Sequence, residues 1–383
     1  MGWTEVSTVS ARREFVRLAQ QPGANVRELC RRYGVSPTTG YKWIHRGGDA
    51  AETFEDRSRR PHGSPHRTEP EIEALALSLR DDHPLWNARK IRRLMRNQLA
   101  PEQRLPAAST IGEILKRNGR ISEAASEAAA DWQRFEHPTP NDLSQLDFKG
   151  HFAIATGRCY PLTMLDDHSR FAQLLEACDN ERTETVREHL VRAFRRFGLP
   201  KRMNVDNGNP WGNPTGERYT KLTVWLIRLG VQISHSRIRH PQTNGKDERF
   251  HRTLKAEVLT NCWFSTMSEV QQAFDRWREI YNHERPHEAL GLEVPASRYS
   301  ASVRSYPETL PPIDYDLGDL VRPIPRSGMV RAWKQAFYIG EAFAGETVAL
   351  RATPLDGVWD VYFCRERVAT IDRRNPDRGL PLS

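Results

Sequence analysis

The stretch SQLDFKG at residues 144–150 decides the fold class, because it opens a series of strand patterns with helices among them. Apolar and polar residues alternate in it, so Asp147 points to the opposite strand face from Leu146 and Phe148. Further strands are predicted at residues 152–155, 160–166, 172–177, 201–205 and 232–234, and helices at 183–197, 222–230, 246–259 and 268–282. This order predicts an α/β domain at residues 141–300, with a mixed sheet and helices on both faces.

Three acidic residues lie where elements of this domain end or begin. Asp147 and Asp206, the latter in NVDNG at residues 204–208, close apolar runs, and Glu248 opens a helix. Strand ends and a helix start can converge, and three close carboxylates cannot all stay ionised without a cation. Mg²⁺ and Mn²⁺ are hard ions that prefer oxygen ligands, so the pattern indicates metal-dependent phosphoryl transfer.

Each of these acids also has a plainer interpretation. A single strand aspartate such as Asp147 can be an edge or turn residue, and the Asp-Asn-Gly sequence at Asp206 can be only a turn. Glu248, Arg252 and Lys255 share one helix face. That face can hold a metal and then follow phosphates, or it can be a solvated face with an ordinary salt bridge.

Three further acids compete for the same role. Asp166 and Asp167 belong to LDDHSR at residues 165–170, which is better explained as a strand-end turn. Asp247 adjoins Glu248 but lies about 100° round the helix, so we expect it to point elsewhere.

The bulk composition favours an intracellular protein that meets a polyanion. The chain has 383 residues, which predicts two to four domains, and a formal net charge of +8. A basic excess suits nucleic acid first and a membrane surface second. No apolar run could span a bilayer, no secretory signal is visible, and the five cysteines are scattered without a zinc pattern. We therefore expect a cytoplasmic protein with no membrane partner.

Residues 1–46 carry a helix-turn-helix pattern. A helical pattern at residues 26–33 is followed by Gly34, which suits a left-handed C-cap, and by Ser36, which can cap the next helix. That next helix would enter the DNA major groove, and its candidate DNA-contacting residues are Thr38, Thr39 and Lys42. A plain helical hairpin is the alternative.

The rest of the chain divides into four further segments. Residues 47–69 form a linker whose Arg57, Arg59 and Arg60 are expected to lie along phosphates. Residues 70–120 predict a second helix-turn-helix unit, and residues 121–140 a connector. Residues 313–374 contain six short strand patterns that predict a small β-barrel. Its arginines fit either a third nucleic-acid contact or an ordinary solvated surface.

Together these segments resemble the integrase-type DDE transposases of bacterial insertion sequences, which are relatives of retroviral integrases. The resemblance covers most of the chain and rests on motifs in the expected order. These motifs are DRSRRPH at 56–62, SQLDFKG at 144–150, LDDHSR at 165–170, the turn at Asp206, RHPQTNGKDERFHRTLK at 239–255 and YNHERPHEAL at 281–290. Glu248 follows Asp206 by 42 positions, a longer spacing that the loop at residues 211–220 can hold.

The resemblance implies an RNase H-like core with the catalytic and metal-binding triad Asp147, Asp206 and Glu248. Two Mg²⁺ ions, which Mn²⁺ can replace, would support cleavage at the element's terminal repeats and attack of the freed 3′-hydroxyl on target DNA. Arg252 and Lys255 fall where the family's helix contacts terminal DNA. Pairing two DNA ends implies a dimer or higher homo-oligomer. The alternatives are a DNA-binding regulator with an inactive core and an RNase H-like nuclease without strand transfer.

Overall fold

The protein is described by a computed structural model that covers residues 7–47, 54–56, 68–121, 136–212, 219–235, 245–260 and 262–374. The chain divides into two compact units, Met1–Arg67 and Thr68–Ser383. Arg57, Arg59 and Arg60 of the predicted linker lie outside the described residues. In the part that is described, no helix is long and apolar enough to cross a membrane.

The first unit confirms the helix-turn-helix pattern. Its helices are α1 (Thr8–Ala19), α2 (Val26–Arg32) and α3 (Pro37–Arg46). The turn between α2 and α3 contains Gly34 with a φ of +63° and ends at Ser36, whose hydroxyl caps α3 at the Thr39 N–H. A Cβ added at Gly40 would lie 2.5 Å from the sulfur of Cys30, so glycine allows α3 to approach α2 closely.

Three more helices open the second unit. They are α4 (Pro70–Asp82), α5 (Ala88–Gln98) and α6 (Ala108–Arg117). Buried residues from all three, including Ala76, Ile91 and Ile111, form one apolar cluster. Residues 99–107 join α5 to α6, a connection longer than the short turn of a simple helix-turn-helix. Asn87 donates a hydrogen bond to Glu288 at 2.9 Å, so this bundle packs on the later part of the same unit.

The mixed sheet predicted for the core is confirmed. Its strands are β1 (Leu143–Phe148), β2 (Phe152–Ile154), β3 (Gly157–Asp166), β4 (Ala172–Cys178), β5 (Arg202–Val205) and β6 (Gln232–His235). The order is β2-β3-β1-β5-β6, and β4 also pairs with β3. β3 is antiparallel to β1 and β4, whereas β1, β5 and β6 run parallel. This antiparallel-then-parallel arrangement is that of an RNase H-like core.

Helices cover both faces of this sheet. They are α7 (Thr183–Phe197), α8 (Lys221–Arg228), α9 (Gly245–Leu254) and α10 (Met267–Glu279), with π-helical turns at Lys255–Leu259 and Ile280–Glu284 and 3₁₀ turns at Glu288–Leu290 and Pro295–Arg298. Leu146 of β1 packs in the apolar cluster that contains α7 and α8, and Phe250 of α9 packs with α10 in a second cluster. Because side chains alternate along a strand, Asp147 lies on the face of β1 that α9 and α10 cover.

All six strand patterns at the C-terminal end form strands. They are β7 (Leu320–Pro323), β8 (Met329–Ala332), β9 (Gln335–Tyr338), β10 (Thr347–Ala352), β11 (Val358–Phe363) and β12 (Glu366–Asp372), with a 3₁₀ turn at Glu341–Phe343. They make an antiparallel sheet in the order β12-β11-β10-β7 and a separate β8–β9 hairpin. Their apolar side chains pack together with Val224 and Ile227 of α8. Closure of the described strands into the predicted β-barrel is not confirmed, since no ladder joins the hairpin to the sheet.

Candidate active site

The pairing of two neighbouring strands brings Asp147 and Asp206 to one edge of the sheet. β1 and β5 are parallel, with Leu143 opposite Arg202 and Gln145 opposite Asn204. The same register continued by two residues brings Asp147 level with Asp206, the first residue after β5. Neighbouring strands lie about 4.8 Å apart, so these two acids are close neighbours.

Asp147 is half-buried, and its surroundings disfavour the ionised form of its carboxyl group. Burial is the main cause that raises its pKa to about 7. Repulsion from Asp206 raises this pKa further, followed by smaller effects of Glu181 and Glu248. The backbone N–H of Phe148 opposes the shift. Among the described residues, no lysine or arginine pairs with the Asp147 carboxylate to offset it.

The turn after β5 holds the carboxyl group of Asp206. One carboxylate oxygen accepts a hydrogen bond from the Gly208 N–H at 2.9 Å, and a Cβ at Gly208 would lie 3.1 Å from the other oxygen. The Nδ1 atom of His235 lies 3.0 Å from the Asp206 carbonyl oxygen. Burial raises the pKa of Asp206, and the Gly208 N–H and His235 lower it in part.

Glu248 lies in the first turn of α9, where its side chain is exposed. Its charge reaches Asp147, whose pKa it raises slightly. Within the described residues, no three histidine, cysteine or acidic side chains come close enough together to hold a metal ion. The triad of Asp147, Asp206 and Glu248 therefore stays a prediction: the first two are adjacent, and the third is on a helix that lies over the same face.

Asp247 is the acid that the sequence analysis expected to point away from the site. Its side chain is 2% exposed, and its Oδ1 atom is buried without a hydrogen-bond partner among the described residues. Burial raises its pKa well above the ordinary value, followed by repulsion from Asp147 and Asp167. The expectation that Asp247 points away from the site is wrong.

The sequence contained a signal for this burial. Asp247 precedes Phe250 by three residues and Leu254 by seven, and both of these are buried in the core. That spacing places Asp247 on the apolar face of α9, whereas Glu248 lies on the exposed face. Glu181, in the loop between β4 and α7, is a second acid near Asp147 that the sequence analysis missed.

The strand-end turn that explains Asp166 is confirmed. Its carboxylate accepts hydrogen bonds from the backbone N–H of Asn141 at 2.7 Å and of Ser169 at 2.8 Å. The Ser169 hydroxyl donates a third at 2.5 Å. Two of these bonds come from its own turn and one from the segment before β1; they satisfy a buried carboxyl group, so Asp166 is a structural residue.

Models of known protein families match most of this chain. Integrase core domain models match residues 137–241 and 229–295, and the model of the IS481 family transposase C-terminal domain matches residues 319–378. Two homeodomain-like domain models match residues 7–52 and 39–115. Together these matches support an integrase-type transposase of a bacterial insertion sequence.

Curated relatives from bacterial insertion elements agree with these family matches. An uncharacterized 31.7 kDa protein of insertion element IS407 from Burkholderia multivorans is 29% identical over 43% of this chain and 57% of its own length. An uncharacterized 39.2 kDa protein of insertion element IS476 from Xanthomonas euvesicatoria is 25% identical over 59% of each chain. The chain thus spans less than two thirds of the length of these relatives.

The HTLV-2 integrase catalytic core domain in complex with magnesium overlaps 43% of this chain and 99% of its own, with a TM-score of 0.34 and 15% identity.

Basic side chains lie beside the acids of the core. Arg252 and Lys255 are exposed on α9 and on the π-helical turn that follows it. Lys149, just after β1, has a pKa that burial lowers first and the nearby charge of Lys255 lowers further. Lys149 was missed by the sequence analysis. It extends the positive charge of the helix towards Asp147. The basic strip of Arg252, Lys255 and Lys149 suits the phosphates of DNA.

The candidate DNA-contacting residues of α3 differ in their surroundings. Thr38 and Lys42 are exposed. Thr39 places its hydroxyl 2.9 Å from that of Ser36 and is therefore part of the cap of α3. The ammonium group of Lys42 lies 5.5 Å from the ring centroid of Trp43, which leaves it on the surface of the helix.

The raised pKa of Asp147 predicts a pH-dependent stability. Because the folded-state pKa is about 7 and the ordinary value is 3.8, this group lowers the free energy of unfolding as pH rises from about 4 to 7. The difference between the two pKa values corresponds to about 4 kcal/mol, and solvent screening of this half-buried side chain reduces it to about 2 kcal/mol. We expect Asp147→Asn to raise the free energy of unfolding by about that amount near pH 8 and to match wild type near pH 4. Urea unfolding in metal-free buffer measures this.

The control for this measurement is Glu184→Gln, which neutralises an exposed acid at the start of α7. It should have no comparable effect at either pH. An Asp147→Asn gain of equal size at both pH values would contradict the electrostatic explanation.

Proposed function

We propose that this protein is a transposase that cleaves DNA at the terminal repeats of its element and joins the freed 3′-hydroxyl ends to target DNA. The observation that carries the proposal is the adjacency of Asp147 and Asp206, which the register of β1 and β5 fixes at one edge of an integrase-type sheet. The described residues offer Asp147 no cationic partner. A site of this kind is suited to an external cation and a polyanionic substrate.

The donor set fits a hard divalent cation. Asp147, Asp206 and Glu248 supply carboxylate oxygens, which are the ligands that Mg²⁺ and Mn²⁺ prefer. The raised pKa values of Asp147 and Asp206 and the unpartnered Oδ1 of buried Asp247 indicate negative charge that the described residues leave uncompensated. Asp147, Asp206 and Glu248 would hold two ions. When bound, these would lower the pKa of the attacking water or 3′-hydroxyl and stabilise the leaving oxygen.

The protein contributes position and charge. Hydrogen bonding of β1 to β3 and β5 fixes Asp147, and the Gly208 N–H orients the carboxylate of Asp206. Nε2 of His251 lies 2.8 Å from the Thr163 hydroxyl, which itself donates to the Asp147 carbonyl oxygen at 3.0 Å. This chain of contacts docks α9 against the strand beside Asp147. Burial is the main cause that lowers the pKa of His251 to about 4, so the ring is neutral at this contact near pH 7.

DNA is held by the basic and helix-turn-helix parts of the chain. Lys149, Arg252 and Lys255 would contact the phosphates of the cleaved end. The exposed face of α3 would read the terminal repeat in the major groove. Arg57, Arg59 and Arg60 of the linker would contact further phosphates of the DNA. Joining two ends of one element requires two copies of the site, and this favours a homodimer or a larger homo-oligomer.

A strand-transfer assay tests this function. The substrate is a labelled duplex that carries the element's own terminal repeat, and wild type is compared with Asp206→Asn in Mg²⁺, in Mn²⁺ and in EDTA. We expect joined products only with wild type and a divalent cation, because Asp206 is a carboxylate ligand. Glu184→Gln serves as the matched control and should join as wild type does.

The other outcomes identify the alternatives. Binding of the terminal repeat without cleavage in either metal would indicate a DNA-binding regulator with an inactive core. Cleavage without joining would indicate an RNase H-like nuclease. Either result would contradict the proposed strand transfer.

A second prediction concerns metal binding without catalysis. An ion at about 100 times its Kd should raise the free energy of unfolding by about 2.7 kcal/mol. We expect Mg²⁺ to raise the melting temperature of the wild type in the absence of DNA, and to do so much less in Asp147→Asn and Asp206→Asn. An equal rise in all three proteins would place the ion elsewhere.

A third prediction concerns the exposed lysine of α3. Lys42→Ala should weaken binding to the terminal repeat and reduce the slope of log affinity against log salt by about 1, as expected for one lost phosphate contact. Arg13→Ala removes the same charge from an exposed position on α1 and is the control. Fluorescence anisotropy over a salt series measures both. An equal loss in the two variants would show a general charge effect.

A further inference from the structure

The acid that follows Asp166 in the turn after β3 has partners outside that turn. Asp167 is 2% exposed, and its backbone N–H donates to the Leu143 carbonyl of β1 at 2.9 Å. Its Oδ1 atom accepts a hydrogen bond from Nε2 of Gln145 at 2.9 Å. Gln145 lies two residues before Asp147, so both side chains lie on the same face of β1. Asp167 is therefore tied to the strand that carries Asp147.

The same carboxylate is also tied to α9. Nζ of Lys246 lies 2.5 Å from Oδ1 of Asp167 and donates to the Asp167 carbonyl oxygen at 3.2 Å. Lys246 is the second residue of α9 and precedes Glu248 by two residues. Its side chain is 17% exposed and that of Asp167 is 3% exposed, so the ion pair is largely withdrawn from water. The attraction within a buried, hydrogen-bonded ion pair depends strongly on the orientation of the two groups, whereas apolar packing is non-directional.

Asp247 of the first turn is buried, with its Oδ1 atom unpartnered among the described residues, and the apolar contacts of α9 come later along the helix. Phe250 and Leu254 pack in the core, and His251 contacts Thr163. These residues hold the second and third turns of α9. Among the described residues, the polar contact of Lys246 ties the first turn to Asp167 in the turn after β3, and Asp167 is bonded to β1. Glu248 belongs to that first turn of α9.

We propose that Asp167 and Lys246 are positioning residues, whose ion pair fixes the first turn of α9 on β1 and so keeps Glu248 beside Asp147. This inference rests on the proposed function, in which Asp147 and Glu248 hold the metal. The hydrogen bonds define a direct path: Asp147 is two residues from Gln145, Gln145 and Lys246 meet at one oxygen of Asp167, and Glu248 is two residues from Lys246.

The test uses the full-length protein with the labelled terminal-repeat duplex. The variants are Lys246→Met, Asp167→Asn, the double variant and Lys246→Arg. The double variant removes both charges and leaves no unpaired ion, so it can fold where a single variant fails. Arg278→Met is the matched control, because Arg278 of α10 pairs with Glu176 of β4 in a similarly buried position.

The readouts are the metal concentration that gives half-maximal strand transfer, the KM for DNA, and the Mg²⁺-induced rise in melting temperature without DNA. We expect Lys246→Met, Asp167→Asn and the double variant each to need about 10-fold more metal. Their KM for DNA should stay unchanged, and their metal-induced rise in melting temperature should shrink. The double variant should be no worse than either single variant, Lys246→Arg should recover most of the metal affinity, and Arg278→Met should need no additional metal.

Two results would overturn the proposal in distinguishable ways. If wild type is active and the variants have a lower melting temperature but an unchanged metal requirement, the ion pair is only structural and the proposed function stands. If wild type shows neither metal-dependent joining nor a metal-induced rise in melting temperature, the proposed function fails and the positioning role fails with it.

Discussion

The parallel pairing of β1 with β5 is the constraint on which the candidate site depends. The register that places Gln145 opposite Asn204 also brings Asp147 level with Asp206. β1 is hydrogen-bonded to β3 on its other side, and Leu146 is fixed in the core, so the strand cannot turn Asp147 away. The repulsion that raises the pKa of Asp147 is therefore built into the sheet, and a bound cation is the simplest way to relieve it.

Much of this arrangement could be predicted from the sequence, because its signals are local. Gly34 and Ser36 mark the turn and cap of a helix-turn-helix, and the strand of Asp147 alternates in a two-residue period. The pairing of distant strands is a different matter. The six C-terminal strands were predicted, but whether they close into a barrel depends on contacts between segments far apart in sequence, on which a local pattern carries no information.

The neighbouring acids of α9 show how a local argument can fail. A separation of about 100° places Asp247 and Glu248 on different faces, but it does not say which face meets the sheet. Phe250 and Leu254 settle that question in favour of Asp247, which is buried. Whether one side chain of a helix is buried or exposed is therefore best predicted from the apolar residues of that helix. The sequence motif around the residue should be considered afterwards.

The acids of this site differ in whether the described residues offer them a positively charged partner. Asp167 receives the ammonium group of Lys246, so its charge is balanced within the protein and can serve to fix α9. Asp147 and Asp206 receive backbone N–H groups and no described ammonium or guanidinium partner. A lysine placed beside Asp147 would lower the carboxylate's affinity for a metal by occupying its oxygens. Keeping Lys246 on Asp167 thus provides a firm helix anchor and leaves the adjacent carboxylates open to a divalent ion.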